Sequence, residues 1–562
     1  MTQNDKEYSI AYIKYYLFQD PFYYYCDQNS DKIENDPNNL FIEYLTKSSK
    51  MLLKSTKEYF KKNLNLIDFE ERRMSLKSIL NNHSFDIIWN PPFTFLGFSN
   101  STFFLMKNKD GIYEICIPTI NKNPNLNYYN ILGQFYFYYL TKELNCRCIS
   151  DNIYILPLQS NYLNKENFIQ ITTTSNFNKR NNGISNYEFF KENLLKIKTF
   201  IDDAKNLVPG VNVFPNMKNI YDYPYSNAKK KYSQTIDEIT QYYYCGTKQR
   251  DYYISKNFGK QYNTKNFGNT NNFSKNEKIN KILQNRNFNF KNEKMNFYEK
   301  IIIREKSIKS VKNLTSKFRY LCFFDFEVVN NIINCNISNF PEIDTIDSIF
   351  NIGVLIWDTK DNTKTFRSYF LNDIHSNDLE LKLLTNFFEE LDEIKDDALL
   401  IHWSSAEIGF LTKFINKCNK LLNVNVDFIY SFNYFDIYKF FVDNEIIVKG
   451  MKSFKLKEIY NCLYYSSNDN EVINEFNNDN IESSLSFYST SSNNNLHIKN
   501  ECINYLKDDS KKIGDGLQTI GYILMNKENI TRTKVNCIIN YNALDCYFIY
   551  KILKGIIFDT KT

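Results

Sequence analysis

The 12 cysteines of this 562-residue chain are scattered, and no two of them stand in a CxxC spacing. That excludes a zinc ribbon and leaves no disulfide framework, so they read as reduced thiols of an intracellular protein. No apolar run reaches the roughly 18 residues that a membrane-spanning helix needs. The start, Met1-Thr2-Gln3-Asn4-Asp5-Lys6-Glu7, has no signal-peptide pattern. The expected location is therefore cytoplasmic or nuclear, with no membrane partner. Glycine and proline are scarce, at 15 and 11 residues, and the first glycine is Gly97.

What the chain does have is length and aromatic mass. At 562 residues it is too long for one compact domain, so two or three are expected. A hydrophobic share of 43% is enough to build their cores. The 43 Tyr and 47 Phe accompany abundant Asn, Lys and Ile, a bias that matches an A+T-rich genome and weakens any single Tyr or Lys as a binding signal. Net charge is +5, but residues 251–320 hold 16 Lys/Arg against 5 Asp/Glu, a local +11 that leaves the remainder at −6. Such a basic bridge suits a polyanionic partner, and it equally suits a solvated linker.

Residues 1–205 read as a mixed α+β domain. Leu40–Lys62 has helical spacing, strands are expected at Phe85–Trp89, Phe93–Phe98, Thr102–Lys107 and Tyr113–Pro118, and a buried helix at Tyr128–Leu140. Asn90-Pro91-Pro92-Phe93 is similar to the NPP(Y/F) signature of amino-methyltransferases. That chemistry needs a preceding Gly-rich turn, and no glycine precedes Gly97. A second resemblance is to RecB-like nucleases of the PD-(D/E)xK class. Gly97-Phe98-Ser99-Asn100 stands at their GxxD, Tyr113-Glu114-Ile115-Cys116-Ile117-Pro118-Thr119 at their ExK strand, and Gln134 with Tyr138 at their QxxxY helix. Asn100 replaces the metal-binding Asp, and no Lys follows Glu114 at the required spacing. The resemblance implies a degenerate restriction-endonuclease-like fold left to bind or to scaffold.

Residues 206–317 read as a helical and basic connecting region. Helices are expected at Asn186–Asp203, at the end of the first domain, and at Tyr232–Tyr244. No chemistry attaches to Cys245-Gly246-Thr247-Lys248-Gln249-Arg250. The Asn-, Lys- and Phe-rich stretch 251–300 reads as a flexible linker whose aromatics could track a single strand by stacking.

Residues 318–562 read as an α/β domain, a mixed sheet flanked by helices, with a disordered Ser- and Asn-rich insertion at about 466–509. In Phe323-Phe324-Asp325-Phe326-Glu327-Val328-Val329, two acids sit two apart in an apolar run. A strand puts both on one face, where burial is costly unless a divalent metal neutralises them. Two-metal phosphodiester hydrolysis needs about four carboxylates. The other two candidates are Glu407, at the start of a helix after a buried strand, and Asp545 on a largely apolar helix. Tyr541, four residues earlier on the same face, is placed to orient water. Singly, each of these acids also reads as an ordinary strand-edge or helix-surface charge.

The order of these motifs resembles that of DEDD (DnaQ-like, ribonuclease H-like) 3′–5′ exonucleases, whose third motif in one subclass is YxxxD. More narrowly, it resembles the ribonuclease H-like domain found downstream of a RecB-like domain in bacterial and large DNA virus proteins. The matching residues are Asp325-Phe326-Glu327, His402-Trp403 with Glu407, Tyr434-Phe435-Asp436, Lys449-Gly450 with Ser453 and Leu456-Lys457, Asp515-Gly516-Leu517, and Tyr541-Asn542 with Asp545-Cys546. Glu407 departs from the usual Asp of the second motif by one methylene. The resemblance implies a hydrolase acting on a single-stranded end of DNA or RNA, with two Mg²⁺ or Mn²⁺ ions held by Asp325, Glu327, Glu407 and Asp545. The alternative is a catalytically inactive nucleic-acid-binding or scaffold protein built from two relic nuclease domains.

Overall fold

A computed structural model describes residues 20–69, 75–158, 168–172, 215–250, 295–333, 345–464, 481–488, 496–499, 516–525 and 532–559. Several of these segments carry breaks of one to three residues, and isolated positions are described between them. Gly97, Asn100 and most of the expected 251–300 linker lie outside the described residues.

The N-terminal part builds one six-stranded sheet. Helix α1 (Leu40–Asn63) starts where the Asn39 side chain accepts from the backbone N–H groups of Phe41 and Ile42. There follow β1 (Leu66–Asp68), β2 (Ile87–Trp89), β3 (Phe104–Lys107), β4 (Tyr113–Thr119), α2 (Leu126–Tyr138), β5 (Ile149–Pro157) and β6 (Ile169–Thr172). Sheet order is β1-β2-β3-β4-β5-β6. Strands β2, β3 and β4 form an antiparallel run, and β5 returns parallel to β4 after α2. The expected strand at Phe93–Phe98 is instead two short ones, Thr94–Phe95 and Phe98–Ser99, in a separate small sheet. Asn90, at φ 46°, turns the chain out of β2 ahead of the two prolines. That accounts for the Asn-Pro-Pro-Phe sequence as a strand exit.

The connecting region is partly built into the fold. Its helix runs Ser226–Thr235, not Tyr232–Tyr244. It stops because Asp237 takes φ 51° and Glu238 turns inward, accepting from the Thr240 N–H and hydroxyl. Arg250 is fully buried against Glu238 at 3.3 Å, and Lys229 is buried against Asp20 at 2.6 Å. The segment that had no chemistry in the sequence therefore closes a buried ionic knot. Ile239, Tyr242, Cys245 and Phe297 belong to the C-terminal core, so that core draws in chain from well before the expected boundary at 318.

The C-terminal sheet has seven strands. They are β7 (Tyr320–Ile333), β8 (Thr345–Asp358), β9 (Thr363–Leu371), β10 (Ala398–His402), β11 (Asn433–Asp436), β12 (Glu482–Tyr488) and β13 (Leu496–Lys499), ordered β11-β10-β7-β8-β9-β12-β13. Strands β7, β8 and β9 are antiparallel, while β10 and β11 run parallel to β7. Helix α3 (Asn377–Asp392) leads into β10, and α4 (Ser405–Lys417) follows it. After β11 come α5 (Leu456–Tyr464), α6 (Gly516–Met525) and the long α7 (Arg532–Lys554). The insertion expected to be disordered contributes β12, paired parallel to β9 from Glu482 to Tyr488. Ser483 and Leu485 are buried on one face while Ser484 and Ser486 are only partly so, and that short alternation explains this: the Ser-rich run still offers a sheet face. Helix α6 lies on α1, where a β-carbon on Gly521 would come within 2.2 Å of the Phe41 backbone N, so the two parts touch backbone to backbone. Among the described residues, no helix is long and apolar enough to cross a membrane.

Candidate metal centre

The alternation of β7 sets up the site. Phe324 and Phe326 point to the α3 side, each meeting the Phe387 ring. Phe323 points the other way, onto Tyr550 of α7. Asp325 and Glu327 share that second face. Helix α7 brings Asp545 onto them, and the carboxylate oxygens of Asp325, Glu327 and Asp545 lie within 4.8 Å of one another. Residues distant in sequence thus form a cluster that can hold a metal ion. Among the described residues, no second group of three or more such ligands converges in this way.

Helix α7 needs a gap in the sheet to come this close. Gly353 of β8 stands directly opposite Asp325. A β-carbon there would sit 1.9 Å from Asn542 Oδ1. In its absence the Asn542 amide reaches Asp325, donating from Nδ2 to the carboxylate Oδ2 at 2.8 Å and to the backbone carbonyl at 3.2 Å. One helical turn on, Cys546 donates its thiol to the Gly353 carbonyl at 3.4 Å. Next along β8, fully buried Asn351 stands opposite Glu327 and accepts from the Ser368 hydroxyl at 3.1 Å. A polar layer therefore runs beneath α7 in an otherwise apolar core.

Glu407 sits in the first turn of α4, as expected, and is buried. Ser404 caps that helix and also donates to Glu407 Oε2 at 3.1 Å, and His402 Nδ1 lies 3.6 Å from the same oxygen. Glu407 is outside the converged trio, yet its charge is felt at Asp325. Tyr541 lies on α7 four residues before Asp545. Its ring carries the Lys457 ammonium 4.0 Å from its centroid.

The electrostatics are those of a site short of positive charge. Asp325 is half-buried by surface area but densely surrounded by protein. Its carboxyl is held well above the usual range, by burial first and then by the charges of Asp545, Glu327 and Glu407, against the pull of the Asn542 hydrogen bond. Glu327 is pushed up to about 8 by burial and then Asp545, with Lys457 working the other way. Two ionised carboxylates 4.8 Å apart repel by about 3 kcal/mol at an effective dielectric of 20. A separate cavity of about 800 Å³, lined by residues including Val328, Glu380, Lys413 and Lys417, includes none of the three acids.

Four contributors carried no individual role in the sequence. Lys457 and Asn542 stand inside matched motifs, whereas Gly353 and Asn351 are visible only once the β7–β8 register is known. No protein-family model and no curated protein sequence matches the chain.

Proposed function

We propose that this chain is a metal-dependent nuclease that hydrolyses phosphodiester bonds of DNA or RNA, acting as a 3′–5′ exonuclease. The observation that carries this is the convergence of Asp325, Glu327 and Asp545 within 4.8 Å, with Glu407 close enough to raise the Asp325 pKa. The antiparallel β7-β8-β9 run, with Glu407 just past the parallel strand β10, supports a ribonuclease H-like sheet with its acids in the DEDD order.

The donor set fits Mg²⁺ or Mn²⁺. It is all carboxylate oxygen, the hard chemistry these ions prefer, and it is buried with its charges in mutual repulsion. Asp325, Glu327 and Asp545 would hold the ions, with Glu407 as the fourth ligand. When bound, such ions act as Lewis acids at the phosphoryl group and lower the pKa of water. The chain's own residues supply position. Asn542 fixes the rotamer of Asp325, the Tyr541 phenol orients the attacking water, and Lys457 holds the Tyr541 ring while offsetting the charge of Glu327.

The test is hydrolysis of end-labelled single-stranded DNA and RNA in Mn²⁺. Wild-type protein is expected to shorten strands from the 3′ end, and Asp325→Asn to lose at least a hundredfold in rate. Equal rates for the two proteins would sink the proposal. Salt-dependent binding without metal-dependent turnover would favour the relic scaffold instead.

A further inference from the structure

We propose that Tyr243 and Tyr438, with Lys218 and Lys455 beside them and Lys457 at the acid cluster, form a shelf that binds single-stranded nucleic acid and leads it to that cluster. This rests on the nuclease reading for its direction but not for its binding chemistry.

The shelf is assembled from two distant parts of the chain. Tyr243 comes from the connecting region and keeps 41% of its surface exposed. Its backbone N–H is tied to the Lys452 carbonyl at 2.7 Å, and its hydroxyl hydrogen-bonds that of Tyr438. Both rings stand edge-on to Phe454, at 5.3 and 6.0 Å between centroids. Phe454 is buried and its carbonyl accepts from the Trp403 indole at 3.0 Å, next to His402 and the Glu407 turn. Three residues on, at most about 10 Å of chain, Lys457 lies over Tyr541 and lowers the cost of charge on Glu327. The aromatic pair and the acid cluster are therefore joined by one short, well-anchored segment.

The charge has the sign a polyanion needs. The Lys218 ammonium caps the Tyr242 carbonyl at 3.1 Å and the Tyr243 carbonyl at 3.5 Å, which places it at the base of the exposed ring. Burial lowers its pKa, and the nearby Lys455 charge adds to that lowering. Lys455 itself is exposed. Two like charges held close to each other and to the exposed Tyr243 ring, with half-buried Tyr438 beside it, favour a strand that offers phosphates and bases in alternation. A folded protein surface would not supply that alternation, and a duplex hides its base faces.

The experiment is fluorescence anisotropy of a labelled strand of about 20 nucleotides, DNA or RNA, with the full chain in EDTA so that nothing is cut. Tyr243→Ala is expected to weaken binding about five- to a hundredfold, and Tyr243→Phe to leave it within about twofold. The double variant Lys218→Ala/Lys455→Ala should make the salt dependence shallower by about 1.4 in log–log slope, the two-phosphate value for single strands. Duplex of the same sequence should bind more weakly and be indifferent to Tyr243→Ala. Unchanged affinity in both the alanine variant and the lysine pair, with normal circular dichroism, overturns the shelf, as does a wild-type chain that ignores single strands. Failure of the two proposals is separable. Shelf-dependent binding without Mn²⁺ cleavage removes the nuclease and keeps the shelf. Asp325-dependent cleavage with binding indifferent to Tyr243 does the reverse.

Discussion

Metal binding by this cluster should be coupled to proton release, and the size of the coupling follows from Glu327. Burial and the Asp545 charge push its pKa up to about 8, so at pH 6 the carboxyl is protonated and must ionise before it can act as a ligand. Between pH 6 and pH 8 such a group goes from about 1% to about half ionised, worth about fiftyfold in affinity. Asp325, held high as well, acts in the same direction. The Mn²⁺ dissociation constant is therefore expected to fall by about fiftyfold or more between pH 6 and pH 8. Isothermal titration at pH 6.5 in two buffers of different ionisation heat should register about one proton released, or more, per binding event. Glu327→Gln should remove about one proton from that count and flatten the pH dependence. The same shifts act on stability without metal. Both folded-state pKa values lie above the unfolded ones, so the stability these two groups contribute is full below about pH 4 and is lost as pH climbs through their folded values, to about 8 for Glu327. For Glu327 the whole rise from 4.5 to about 8 corresponds to roughly 5 kcal/mol. Saturating Mn²⁺ should abolish that loss in thermal melts. An affinity that is flat from pH 6 to pH 8, with no proton release, would refute the reasoning.

Gly353→Ala would place a methyl 1.9 Å from Asn542 Oδ1, so Asn542 must leave Asp325 or α7 must lift. We expect about 1–3 kcal/mol lost in urea denaturation and weaker Mn²⁺ binding, and no change in either would count against the register assigned to this site. Arg250→Met leaves Glu238 buried beside a neutral chain and should cost about 3–5 kcal/mol at pH 8. Glu238 already titrates at about 7, raised by burial with Arg250 opposing, so the cost should shrink at pH 6, where it takes up a proton; melts of both proteins at the two pH values decide this.

How much of this was legible depended on range. Local signals were sound: the D-x-E alternation, the helix start at Glu407 and the apolar helix carrying Asp545 all follow from residue type and period. Element ends drifted, as at Tyr232–Tyr244, because a left-handed Asp237 and an inward Glu238 are tertiary choices that no periodicity announces. Strand β12 was masked by a Ser- and Asn-rich composition that imitates disorder, although its alternation was present. Gly353 and Asn351 were not legible at all. A glycine in a strand has many readings until the register sets it opposite Asp325 and beneath Asn542. The same limit hid the role of Tyr243, more than 200 residues from the segment it packs on.

The contrast with the chain's other internal acids bears most directly on what the cluster is for. Asp20 is paired with Lys229, Asp68 with Lys57, Glu238 with Arg250, Asp358 with Arg319 and Glu380 with Lys417. In these five pairs the fold sets a lysine or arginine against a buried carboxylate, which limits the desolvation cost of either charge alone. In a chain with 69 basic residues such a partner was readily available. Yet among the described residues no ion pair joins a lysine or arginine to Asp325 or Glu327, and Lys457 is committed to the Tyr541 ring. Three acids are turned on one another, in a layer that takes up a glycine and two asparagines to make room for them. A permanent internal cation would make the site more stable and would compete with a metal ion for the carboxylates. The convergence of the three acids instead makes a group that could hold a cation taken from solution.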